Sequence, residues 1–273
     1  MASLSTLPLT HKTYVDAPHG QVHVRMSGDP GGVPLVLLHQ VASSSLMWEA
    51  IMEPLARRGY RVMAVDLPGY GNSDPMPSLP TLSEYGQVVG DAVAALGYDS
   101  AHWFGHHTGS SVSMTIAAER PDRVRAVAVW GLALFEADDP VRIRIDEELP
   151  PVYTADGDDV LADWRRRWEI SSASVAPRVV ARSTAEFLLA GEHRPDGHNT
   201  VGRTDHRPIF RAVTRPVLAA VGEREMLLDH TIAAMPLLQH GEFVNLGDVG
   251  IDVADEAPEL LCDTLDAFYG RHS

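Results

Sequence analysis

Between positions 101 and 118 the chain changes character three times. Ala101-His102-Trp103-Phe104 is an apolar, β-like run. Gly105-His106-His107-Thr108-Gly109 interrupts it, and Ser110-Ser111-Val112-Ser113-Met114-Thr115-Ile116-Ala117-Ala118 then reads as a helix. A strand that turns directly into a helix is the repeating unit of a parallel sheet, because parallel neighbours need a crossover between them.

The same rhythm runs along most of the sequence. Gln21–Met26 alternates like an exposed early strand, whereas Pro34–Leu38 is continuously apolar, as a strand buried on both faces must be. Arg61–Asp66 is the next strand and ends in the Gly/Pro-rich turn Leu67–Asp74. Leu82–Leu96 reads as a helix and Val124–Trp130 as another buried strand. From Phe135 to Arg207 the rhythm stops, and the stretch is charged and helix-like, with Asp163-Trp164-Arg165-Arg166-Arg167-Trp168 near its middle. Strands return at Arg215–Gly222 and Glu242–Leu246, followed by a helix over Ala257–Tyr269. The pattern predicts an α/β fold with a mostly parallel central sheet flanked by helices. Residues 1–134 and 208–273 form its core. Residues 135–207 form a helical insertion, placed as a lid over the carboxyl ends of the strands.

Composition narrows the partners. The formal net charge of −15 argues against nucleic acid or an anionic membrane surface and leaves a small-molecule substrate. No apolar run approaches the ~18 residues of a membrane span, and Met1–Pro8 lacks the basic and apolar regions of a secretory leader. Cys262, the one cysteine, sits in an apolar helical run and reads as a packed thiol, which fits a reducing cytoplasm. Histidines 193, 198 and 206 match no ligand spacing and read as solvated loop positions. No phosphate-binding glycine loop is present, so neither a cofactor nor a metal is expected, and the chain is expected as a monomer or homodimer.

Several segments, in order, resemble the α/β-hydrolase family. His39-Gln40 follows the buried strand where the family has His-Gly, and Asp66-Leu67-Pro68-Gly69-Tyr70-Gly71-Asn72-Ser73 matches its Asp-x-x-Gly-x-Gly-x-Ser loop. Gly105–Gly109 occupies the nucleophile elbow, usually Gly-x-Ser-x-Gly. Gly222-Glu223-Arg224-Glu225 resembles the segment that supplies the triad acid. Gly250-Ile251, ahead of Glu256-Ala257-Pro258, stands where the family has its Gly-His loop. The resemblance implies a triad of His107, Glu225 and Ile251 in place of serine, acid and histidine. Both the nucleophile and its base are replaced.

An imidazole is longer than a serine hydroxyl, and Ile251 leaves room for it. His107 is therefore expected to reach Glu225 directly, forming a His–carboxylate dyad with one ring nitrogen free for substrate. The resemblance implies an oxyanion hole from the backbone N–H groups of Val41 and Thr108. Ile251 is expected at the substrate, Gln40 either binds a substrate oxygen or packs, His106 either lines the pocket at the substrate or supports the structure, and Trp164 and Trp168, spaced i and i+4, either stack on the substrate or pack in the core. His39 is expected to hold loop backbone, one of Ser43–Ser45 to cap a helix, and Asp248 and Asp252 to serve as loop or cap residues or as a replacement acid or base.

Three functions follow from these residues. One is cofactor-free acid–base chemistry on a small carbonyl compound (elimination, decarboxylation or cyclisation), of the kind found in bacterial specialised metabolism. Another is His-dependent hydrolysis of an activated ester, thioester or lactone. The third is an inactive homologue that binds a ligand or partner. Epoxide hydrolysis and dehalogenation are disfavoured, because both need an aspartate at the elbow.

Overall fold

Continuous runs of Val, Leu and Ala leave a strand no polar face to show to water, so it is stable only between two layers. In the computed structural model, which describes residues 10–171 and 174–272, five largely buried strands form the centre of the sheet. They are β3 (Val33–Leu38), β4 (Tyr60–Val65), β5 (Ala101–His106), β6 (Val124–Trp130) and β7 (Val217–Val221). With β1 (His11–Ala17), β2 (Gly20–Ser27) and β8 (Gly241–Asn245) they make eight strands in the order β1-β2-β4-β3-β5-β6-β7-β8. The β1–β2 and β2–β4 pairs are antiparallel and all others parallel. β1 has no counterpart among the strands expected from sequence, because its mostly exposed His-Lys-Thr-Tyr-Val-Asp-Ala run shows no apolar face.

Alternate residues of β3 enter opposite layers. Val36 and Leu38 join α2 (Leu82–Ala95) and α3 (Thr108–Glu119) on one face. Leu35 and Leu37 join α1 (Glu49–Arg57) and α11 (Pro258–Tyr269) on the other. The start of α2 is fixed by a capping box: Glu84 N–H donates to Thr81 Oγ1 at 3.2 Å, and Thr81 N–H donates to Glu84 Oε2 at 2.7 Å. Cys262 is fully buried, and burial pushes its thiol up to about 12.

Among the described residues, five α-helices are inserted between β6 and β7: α4 (Pro140–Asp146), α5 (Asp158–Ile170), α6 (Pro177–Ala190), α7 (Asp196–Arg203) and α8 (His206–Ala212). The last runs past residue 207 and packs on α3, where His206 Nε2 meets Ser111 Oγ at 3.0 Å. The short helices α9 (Leu228–Ala234) and α10 (Val253–Glu256) follow β7 and β8. Met1–Pro8, the basis for expecting no leader, lies outside the described residues. Among the described residues no helix is long and apolar enough to cross a membrane.

Candidate active site

β5 ends at His106 and α3 begins at Thr108, so His107 alone carries the turn between them. Its φ of +49° is left-handed, and among the described residues it is the only non-glycine residue there. Such a conformation costs about 1–3 kcal/mol and persists only where neighbours enforce it. Here His107 N–H donates to Trp130 O at 2.9 Å, and Ser111 N–H donates to His107 O at 3.0 Å. The flanking glycines are steric requirements. A Cβ on Gly105 would lie 2.2 Å from Gly109 O, and one on Gly109 would lie 2.2 Å from Leu38 O.

This turn sets the imidazole against the loop after β7. His107 Nε2 lies 2.7 Å from Glu225 Oε1. The same oxygen accepts from Leu227 N–H at 3.1 Å, and Oε2 accepts from the indole N–H of Trp130 at 2.7 Å. Burial pushes the Glu225 carboxyl up, but His107 beside it, helped by His106 and the Leu227 N–H, outweighs burial and holds it at about 2. Glu225 is therefore a carboxylate at neutral pH, and Nε2 of a neutral ring must carry the proton that bonds it. The lone pair then resides on Nδ1, which makes no hydrogen bond among the described residues and is not sealed from solvent.

Gly131 makes this contact sterically feasible. Its φ is +73°, and a Cβ there would stand 2.7 Å from His107 Cδ2. Neither Gly131 nor Trp130 was singled out from sequence. The Trp-Gly pair at the end of β6 is the signal that marks them.

A cavity of about 340 Å³ opens over the dyad, lined by His107, Gln40, Val41 and Ile251 from the core and by Arg166 and Arg167 from α5, among others. The Val41 and Thr108 N–H groups donate to no acceptor outside their own elements among the described residues. Gln40 is held by its carbonyl, which accepts from His39 Nδ1 at 2.7 Å and from Ser43 N–H at 3.0 Å. His39 Nε2 in turn accepts from Leu67 N–H at 2.9 Å.

Three expected substrate contacts are corrected. His106 is fully buried and does not line the cavity; it braces the last loop by donating from Nε2 to Ile251 O at 2.9 Å. Burial, and then the neighbouring His107, pushes its ring down to about 3. Trp164 and Trp168 also lie off the cavity and meet edge to face at 6.0 Å. At ~100° per residue they occupy the side of α5 opposite Arg166 and Ile170.

The remaining candidates hold the scaffold. Ser44 Oγ accepts from Leu46 N–H, and both Ser43 and Ser44 donate to the buried Glu186 of α6. Asp248 pairs with Arg224, and Asp252 forms a buried pair with Arg167. Histidines 193, 198 and 206 are not solvated loop positions as expected: Asp196 holds the first, Glu148 the second, and the third is buried against Ser111. His106, His107 and Glu225 bring three potential metal-ligand atoms within 4.8 Å of one another; His106 Nε2 and both Glu225 oxygens are hydrogen-bonded, whereas His106 Nδ1 is buried without a hydrogen-bond partner among the described residues.

Comparison with known proteins agrees with this architecture. A family model described as alpha/beta hydrolase fold matches residues 33–155. An uncharacterized carboxylesterase of Bacillus subtilis (strain 168) is 34% identical over 233 residues, covering 83% of this chain and 75% of that protein. A haloalkane dehalogenase of Mycobacterium marinum is 33% identical over 250 residues, covering 82% and 79%. Epoxide hydrolase A from Mycobacterium thermoresistibile superposes with a TM-score of 0.81 at 19% identity, over 95% of this chain and 98% of that one, which is a likeness of fold. The chain belongs to the α/β-hydrolase fold family, with a histidine at the elbow of the family's nucleophile.

Proposed function

We propose that this protein hydrolyses a small activated ester, thioester or lactone, with His107 as general base toward water. The 2.7 Å contact between His107 Nε2 and Glu225 carries the reading, because it leaves Nδ1 as an unengaged base at the cavity. Water oxygen bonds to the substrate carbonyl carbon as its proton passes to Nδ1. The carbonyl electron pair moves onto oxygen between the Val41 and Thr108 N–H groups. Collapse breaks the bond to the leaving oxygen or sulfur, which takes the proton back from Nδ1. No acyl-enzyme forms. The carboxylesterase name of the Bacillus relative supports hydrolysis. The dehalogenase and epoxide hydrolase names do not transfer, since that chemistry needs a carboxylate where His107 stands. In this reading residues 135–207 act as a lid on the core formed by 1–134 and 208–273.

One observation favours a second reading. The site offers a base and two amide donors, with an imidazole where a hydroxyl or carboxylate nucleophile would stand, and a base with amide donors is all that proton abstraction to an enolate requires. Elimination, decarboxylation or cyclisation of a carbonyl compound would use the same groups.

The test is turnover of 4-nitrophenyl acetate through octanoate by wild type, His107→Ala and His107→Ser, in water enriched in oxygen-18. The expected outcome is wild-type turnover without a burst, one labelled oxygen in the acid, and a loss of about 10²–10⁴-fold in both variants. An inactive wild type that instead exchanges α-protons of ketones with deuterated solvent would replace hydrolysis with the second reading. Turnover unchanged in His107→Ala would sink both.

A further inference from the structure

The chain is acidic, with 37 Asp and Glu against 22 Lys and Arg. The wall of its cavity has the opposite balance: Arg144, Arg166, Arg167 and Arg194 face it, against Glu148 and Glu169. Two of the four guanidiniums are engaged. Arg167 pairs with the buried Asp252, and Arg194 makes a two-pronged pair with Asp163 at 2.6 and 2.8 Å while lying over the Phe187 ring at 4.7 Å. Glu148 is taken by His198 Nδ1 at 2.5 Å. Arg144 of α4 and Arg166 of α5 make no hydrogen bond or ion pair among the described residues, although both line the same space as His107.

Each guanidinium is a planar fork of donors that matches a carboxylate, and these two, with Arg166 acting on Glu148 only through space, line one cavity. We propose that the substrate carries a carboxylate at the end remote from the carbonyl under attack, held by Arg144 and Arg166. Small half-esters or half-thioesters of a dicarboxylic acid have this form. The proposal rests on the hydrolase reading only for which group reacts; the anion site stands on the arginines.

Binding without turnover tests it. Glutarate is titrated by calorimetry into wild type, Arg144→Gln, Arg166→Gln and the double variant, with the uncharged isostere glutaramide and inorganic phosphate as comparisons. Both arginines are exposed, so the variants keep the fold, and melting curves check this. The expected result is glutarate bound about tenfold or more tightly than glutaramide, and about tenfold weaker binding in each single variant. Equal binding of glutarate and glutaramide, no binding of either, or glutarate affinity unchanged in the double variant would overturn the proposal. So would phosphate binding more tightly than glutarate. Failure of the hydrolase reading leaves this titration unaffected, because nothing in it is turned over.

Discussion

His107 and Glu225 form a hydrogen-bonded pair, and the carboxylate has the more telling environment. Its folded value of about 2 lies below the ordinary 4.5, so the folded state binds the proton more weakly than the unfolded chain. The stabilisation is therefore full above about pH 4.5 and is lost as pH falls toward 2. Glu225→Gln removes it, and the expected cost is about 1.5–3 kcal/mol at neutral pH. Urea unfolding of both proteins across pH checks this: the gap between them must close on acidification, and a gap that stays constant would contradict the assignment. Gly131 offers a cleaner geometric probe, since its Cβ would stand 2.7 Å from His107 Cδ2. Gly131→Ala is expected to displace the ring and lower kcat by about 10²-fold, while the far-ultraviolet circular dichroism keeps its native shape. Unchanged kcat would show that the ring has another productive position.

At the scale of elements, the loop after β3 carries the Val41 amide and is tied to α6 of the insertion. Ser43 Oγ donates to Glu186 Oε2 at 2.8 Å and Ser44 Oγ donates to Oε1 at 2.5 Å. Glu186 is buried, and burial pushes its carboxyl up, with Asp66 adding to the push while the two serines and Arg182 oppose it. A raised folded value means the contact favours the fold most at low pH and loses that advantage as pH rises through the folded value. Glu186→Gln keeps a side chain that the serines can bond and removes the buried charge. Its melting temperature is expected to gain on wild type with rising pH. Parallel melting curves from pH 4 to 8 check this, and a variant that falls behind wild type at high pH would refute it. Glu186→Ala removes the tie altogether, and KM and kcat for an ester should both worsen because the amide donor is released.

Across the whole molecule, legibility follows what fixes each part. β3, β4, β5, β6 and β7 were readable because coverage on both faces forces apolar side chains at nearly every position. The His107–Glu225 contact was legible because an imidazole at the elbow is long enough to reach the acid position, and the two side chains do lie within hydrogen-bond reach. β1 was not, because pairing with β2 rather than an apolar face defines it. The Trp pair was assigned a stacking role as one alternative because the i, i+4 spacing gives a helix face but not its direction, which depends on how α5 docks. That docking is the least local fact in the structure. It rests on Arg167, only 2% exposed, pairing with Asp252 at 6% in the loop after β8. Arg182 of α6 pairs with Asp255 beside it, and the Gly197 N–H of α7 donates to Tyr70 Oη at 2.8 Å. These ties are expected to make the insertion and the sheet unfold as one cooperative unit. Arg167→Met leaves Asp252 as a buried, uncompensated charge, at an expected cost of about 3–5 kcal/mol, and Arg167→Met with Asp252→Asn should recover part of it. Tryptophan fluorescence and circular dichroism should trace a single transition in wild type. In Arg167→Met each probe should show two steps of different weight, because Trp164 and Trp168, two of the five tryptophans, and helices α4–α8 report on the insertion, while the other tryptophans and helices report on the core. A single transition in the variant would mean that the insertion is held by its other contacts and that the buried pair serves only to shape the cavity wall.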